Sequence, residues 1–123
     1  MTESLYERIG GRPAVKAVVA KLYNKLLSDP LLIPFFEGID AERLRSSQAA
    51  FVAMATGSPT PYTGQSLRTA HRRLVEEKGL SDQHFDAVAR HLDAALSELG
   101  VPHHLRDDVL GIVETTRADI LNR

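Results

Sequence analysis

Apolar residues recur along the chain at intervals of three and four, and no stretch alternates with the period of two that a half-buried strand requires. The pattern therefore predicts an all-α protein. Ser4 and Glu7 have the spacing of a capping box for a short first helix that ends at Gly10 and Gly11. Pro13 suits the first position of a second helix, whose Val15, Val18, Val19, Leu22, Leu26 and Leu27 share one face. Ser28, Asp29 and Pro30 close it, because proline offers no N–H to the next helical bond. Pro30 to Gly38 forms a corner holding Phe35 and Phe36. Asp40 caps a third helix that runs to Gly57, with Ile39 and Leu44 spaced as a hydrophobic staple.

From Gly57 to Ser66 the composition shifts to Gly, Ser, Thr and Pro around Tyr62, which reads as a loop. A short helix over Leu67–Glu77 follows and ends at Gly79. Ser81 caps a long helix with Phe85, Val88, Ala89, Leu92, Leu96 and Leu99 on its inner face, and Gly100 ends it. Pro102 opens a last helix through Leu105, Val109, Ile112, Val113 and Ile120.

Polar residues that break these stripes carry the functional signal. Leu67, Ala70, His71, Leu74 and Val75 fall on one helical face with the imidazole at its centre, and Leu44, Gln48 and Phe51 align an amide between two apolar residues. Tyr23 stands on the flank of the second helix's buried stripe. Each has an ordinary explanation by itself: a core histidine bonded to a carbonyl, a glutamine bonded to a neighbouring backbone, an amphipathic edge tyrosine. Together they bring an imidazole, an amide and a phenol from three helices to a region of Leu and Phe. An iron porphyrin, apolar with a polar centre, satisfies all three, although periodicity alone does not name it. A cofactor-free helical interaction domain is the other reading.

The remaining histidines, His84, His91, His103 and His104, lack the i, i+4 pairing or HExxH pattern of a zinc enzyme and read as surface or edge residues. No nucleophilic triad order, phosphate-binding glycine loop or paired-carboxylate motif is apparent.

Composition narrows the picture. A chain of 123 residues, 43% hydrophobic and 25% charged, suits one domain over 1–123, and a net charge of −1 without a basic cluster excludes nucleic acid as a partner. The absence of Cys excludes disulfides, thiolate metal sites and cysteine-based heme attachment. The longest apolar run, Pro30–Phe36, is far short of the roughly 20 residues of a membrane span, and Met-Thr-Glu-Ser at the start is unlike a signal peptide. A soluble, cytoplasmic protein is expected. With four Phe, three Tyr and no Trp, the chain has few bulky side chains for the middle of its core, and a flat cofactor would supply that volume.

Leu5-Tyr6-Glu7-Arg8-Ile9-Gly10-Gly11, Pro34-Phe35-Phe36, Pro61-Tyr62-Thr63-Gly64, His71, and Gly79 followed by His84-Phe85 resemble the group I truncated hemoglobins over nearly the whole chain. The resemblance implies a globin-like two-over-two helical sandwich around one heme b. It implies His71 as the proximal iron ligand, Phe36 stacked on the heme, and Tyr23 and Gln48 as distal hydrogen-bond donors. Leu44 matches a position held by Gln or Leu in the family, Phe51 one bordering a gas tunnel in some members, and Arg68 one suited to a heme propionate. Phe35, Ser47, Tyr62, Leu67, Leu74, Phe85 and Val88 complete the heme-binding set. Ser47 stands where certain relatives carry a histidine able to be a sixth iron ligand, so a pentacoordinate ferrous form is expected. Leu22 replaces the Phe that often precedes the distal tyrosine. The implied ligands are dioxygen, nitric oxide and carbon monoxide. The implied roles are oxygen storage, delivery or sensing, or nitric oxide dioxygenation with an external reductase.

Overall fold

The computed structural model describes residues 4–57 and 64–123, with the backbone alone for 64–66. Among the described residues the chain forms α1 (Leu5–Arg8), α2 (Gly11–Leu27), a 3-10 turn (Ile33–Phe36), α3 (Ala41–Ala55), α4 (Gly64–Lys78), α5 (Asp82–Glu98), α6 (His103–Glu114) and α7 (Arg117–Ile120), and no strand. The Ser4 hydroxyl accepts the Glu7 N–H at 3.2 Å, as the capping spacing requires. Gly10 and Gly11 then turn the chain at φ 122° and 68°. Helix α2 begins at Gly11, so Pro13 is its third residue, where the missing N–H is still one of the four without a helical acceptor. Asp40 accepts the Arg43 N–H at 3.3 Å at the start of α3, but Ile39 stays 40% exposed and closes no staple. Helix α4 starts at Gly64, about a turn before the apolar spacing becomes visible.

The last expected helix is two helices. Thr115 and Thr116 each donate a hydroxyl to the carbonyl three residues back, Ile112 and Val113, at 2.6 Å. Their N–H groups fall on the same carbonyls at 3.1 and 3.0 Å. Side-chain hydroxyls competing for helical carbonyls loosen the turn there, and apolar spacing continues past the break to Ile120, which hides it in the sequence. Pro102 is extended (φ −60°, ψ 150°) and lies just outside α6. Two stripes also end differently from expectation: Leu27 and Leu99, in the last turn and at the cap of their helices, are 36% and 38% exposed.

Helix α2 packs on α3 and α5, α5 packs on α6, and α6 returns to α3, which sets two helices over two. Val18, Leu22, Val52, Leu92, Leu96 and Val109 are fully buried between them. Helix α4 lies outside this frame, against α7 and the 3-10 turn. The helices carrying His71 and Gln48 are thus held by different neighbours.

Candidate functional site

On α4, His71 is half-buried and its Nδ1 lies 2.8 Å from the carbonyl oxygen of Leu67, one turn earlier. A carbonyl only accepts, so Nδ1 carries the proton and donates, and Nε2 keeps a free lone pair. Burial pushes the imidazole pKa below its ordinary 6.5, and the carbonyl opposes this with a smaller effect. The ring is therefore neutral at pH 7 and ready to ligate a metal through Nε2. Leu67 is buried and Leu74 half-buried beside it in sequence, whereas Ala70 is exposed.

Polar bonds fasten the first half of α4 to the α7 region. Arg68 donates from Nε to Asp119 at 2.9 Å and from Nη2 to the carbonyl of Arg123 at 2.7 Å. Asn122 returns a bond from Nδ2 to the carbonyl of Arg68 at 3.1 Å, and holds the left-handed backbone (φ 57°) that asparagine tolerates. Arg68 is therefore engaged by protein groups in this structure, where the family resemblance implies a propionate partner. At the other end of α4, Lys78 donates to the carbonyl of Pro34 at 2.7 Å, beside the Phe35-Phe36 corner.

Helix α3 carries the opposite arrangement. Gln48 is 6% exposed, and among the described residues neither its amide oxygen nor its nitrogen has a hydrogen-bond partner. The ordinary explanation of a glutamine bonded to a neighbouring backbone does not hold. Leaving such a group unsatisfied costs roughly 1–3 kcal/mol, so its presence points to a partner from outside the chain. Leu44, one turn before, is buried, Phe51 is half-buried against the core, and Ser47 is exposed. Tyr23 on α2 is half-buried, and its ring lies under the guanidinium of Arg45 at 4.8 Å. Its hydroxyl makes no bond to Gln48.

The other expected contacts divide. Phe36 and Val88 are half-buried against the core. Phe35 is buried with its ring edge-on to His84, centroids 4.6 Å apart. Phe85 is buried beneath Arg117 at 4.3 Å, at the cleft between α5 and α6. Tyr62 lies outside the described residues. His84 corrects a sequence expectation, because it is 7% exposed and not at the surface. Its Nδ1 accepts the Ser81 N–H at 3.0 Å, taking the capping-box position usually held by Glu or Gln. Its place three residues after Ser81 was the available signal. His91 is an edge residue, 2.7 Å from Asp29, and His103 and His104 are exposed.

Among the described residues no three His, Asp or Glu side chains gather to hold a metal ion. A free Nε2 on His71 suits a metal that arrives with its other ligands, as a porphyrin iron does.

A family model described as bacterial-like globin matches residues 4–122. The group 1 truncated hemoglobin GlbN of Synechocystis is 40% identical over 122 residues, which cover 98% of each chain. The chain belongs to the group 1 truncated hemoglobins. A further truncated hemoglobin, from Chlamydomonas moewusii, is 44% identical over 97% of this chain and 68% of its own length. A crystal structure of the 2/2 hemoglobin of a Synechococcus species, in the cyanomet state and with covalently attached heme, superposes with a TM-score of 0.89. It shares 42% identity over 98% of this globin and 100% of that one. The two-over-two arrangement of α2, α3, α5 and α6 is thus that of the truncated globins. Globins bind diatomic gases through heme, and in this globin the lone His71 nitrogen and the unsatisfied Gln48 amide fit that group. Arg45, Asp119 and Asn122 carried no sequence signal, since each is a polar residue at a surface position of a helix or its end.

Proposed function

We propose that the chain holds heme b between α3 and α4 and binds dioxygen reversibly, with carbon monoxide and nitric oxide as competing ligands. The observation that carries the reading is the buried Gln48 amide without a partner. When bound, heme would supply a ferrous iron able to take a protein nitrogen and to bind a small gas. His71 would hold the iron through Nε2, its ring oriented by the Nδ1–H bond to Leu67. Gln48 and Tyr23 would donate to the bound gas, and Leu44 and Phe51 would keep water away from it. Ser47 offers no nitrogen to compete for the distal position.

Titrating apoprotein with hemin should give a Soret band saturating at one equivalent. Its absence would return the chain to a cofactor-free helical domain. In stopped-flow displacement, Tyr23→Phe should speed dioxygen release about tenfold to a hundredfold, the equivalent of losing a bond of roughly 1.5–3 kcal/mol to a partly charged acceptor. Carbon monoxide, a weaker acceptor, should be released at a rate much less changed. An unaltered dioxygen rate removes Tyr23 from the role. Mixing the reduced, air-equilibrated holoprotein with nitric oxide and assaying nitrate, with and without a reductase, tests dioxygenase activity in the same preparation.

A further inference from the structure

A tyrosine can aim its hydroxyl only if its ring is held, and the packing around Tyr23 leaves one side open. A groove of about 320 Å³ runs between α2 and α3, lined by Lys16, Val19, Ala20, Asn24 and Arg45 together with Tyr23 itself. Across the face of the Tyr23 ring lies the Arg45 guanidinium, 4.8 Å from the centroid, a distance at which a cation is attracted by the aromatic quadrupole. The contact engages the face of the ring and not its hydroxyl. Arg45 also stands three residues before Gln48 on α3, so the two side chains are neighbours on one helix surface.

We infer that Arg45 is a positioning residue for Tyr23, clamping the ring across the α2/α3 groove so that its hydroxyl points to the ligand side of the site. The role rests on the proposed function, in which Tyr23 is a distal donor. One helix then carries both the second donor, Gln48, and the clamp on the first, so a shift of α3 moves the two donors together. Loss of the clamp lets the ring occupy the groove for part of the time and weakens its bond to the ligand. The interaction energy of an exposed cation–π pair corresponds to about a twofold to fivefold change in rate.

Two measurements test this. In protein labelled with 13C-tyrosine, the Tyr23 ring signals are assigned by their loss in Tyr23→Phe. In apoprotein and holoprotein alike, Arg45→Gln should shift these signals and leave those of Tyr6 in place, with Arg45→Lys intermediate. In the holoprotein, Arg45→Gln should speed dioxygen release about twofold to fivefold, and Arg45→Gln combined with Tyr23→Phe should be no faster than Tyr23→Phe alone. Arg43→Gln, which removes an equal charge two residues away, should change neither reading. Unshifted ring signals in Arg45→Gln, or rate effects that multiply in the double variant, would overturn the positioning role. A Tyr23→Phe rate equal to that of the parent would instead overturn the reading of the site and the role with it, and the ring signals would still report whether the contact exists.

Discussion

The two sides of the site are built in opposite ways. On the α4 side each polar group described has a protein partner: His71 has Leu67, and Arg68 has Asp119, Arg123 and Asn122. On the α3 side the Gln48 amide is buried with no partner among the described residues, and Arg45 lies on the face of the Tyr23 ring. The first side is complete in the chain alone and presents one fixed lone pair. The second carries an unsatisfied cost that, in the proposed reading, a small ligand relieves. In the proposed reading this asymmetry keeps the permanent cofactor contact on one helix and the donors for a transient ligand on others.

The largest break in the comparison is His71→Ala, which removes the fixed lone pair. Stable heme retention should be lost, seen as a missing Soret band after gel filtration and as fast transfer of heme to an excess of a heme-free globin. A normal Soret spectrum in the purified variant contradicts the assignment. Gln48→Leu acts with the opposite sign on the two states. Apoprotein should gain about 1–3 kcal/mol in urea unfolding, since the unsatisfied amide is gone, while the holoprotein should release dioxygen faster. A less stable apoprotein would mean that Gln48 has a partner in solution.

Acid should sharpen the contrast from the α4 side. Burial depresses the folded-state pKa of His71 below 6.5, so the unfolded chain takes up the proton first. The stabilisation is whole above about 6.5 and is lost as the pH falls through the lower folded value. The urea stability of the apoprotein should fall over that window. The exposed carboxylates respond lower. Asp82 is held below 3.8 by hydrogen bonds from Arg123 and Arg117, and Glu98 and Glu114 below 4.5 by Lys25 and Arg117 respectively. Their share persists until the pH drops under those values. Asp119→Asn should have the smallest effect. It loosens a pair whose side chains are 37% and 33% exposed, so about 0.2–1 kcal/mol is at stake. Faster hydrogen exchange confined to the start of α4, with little change in global unfolding, is the expected result.

Much of the fold was legible because it rests on local rules. Ser4 and Asp40 cap their helices, Gly57, Gly79 and Gly100 adopt positive φ after them, and the inward direction of Gln48 follows from its spacing with Leu44 and Phe51. The break at Thr115 and Thr116 was not legible, since each threonine is tolerated within a helix and only the hydroxyl bonds to Ile112 and Val113 reveal it. His84 was misread because histidine at the third position of a helix is an uncommon capping partner, and its burial depends on Phe35 arriving from a distant corner.

The site shows the same division. His71 stood out as an imidazole on an apolar face, and helical periodicity made that a statement about one element alone. Which carbonyl fixes its tautomer is also local, four residues back on the same helix. What the chain could not express in one dimension is who faces whom. That Arg68 turns to Asp119 and that Arg45 covers Tyr23 are contacts across 51 and 22 residues, set by how α4 meets α7 and α3 meets α2, and that Gln48 has no partner among the described residues is equally a matter of packing. The sequence determined the helical class, most helix ends and the three polar residues in or beside apolar stripes, because these follow from bonds and faces within a turn or two. Tertiary structure alone decided that one side of the site would be satisfied and the other left open, because hydrogen-bond satisfaction depends on which distant groups packing brings within 3 Å of each other.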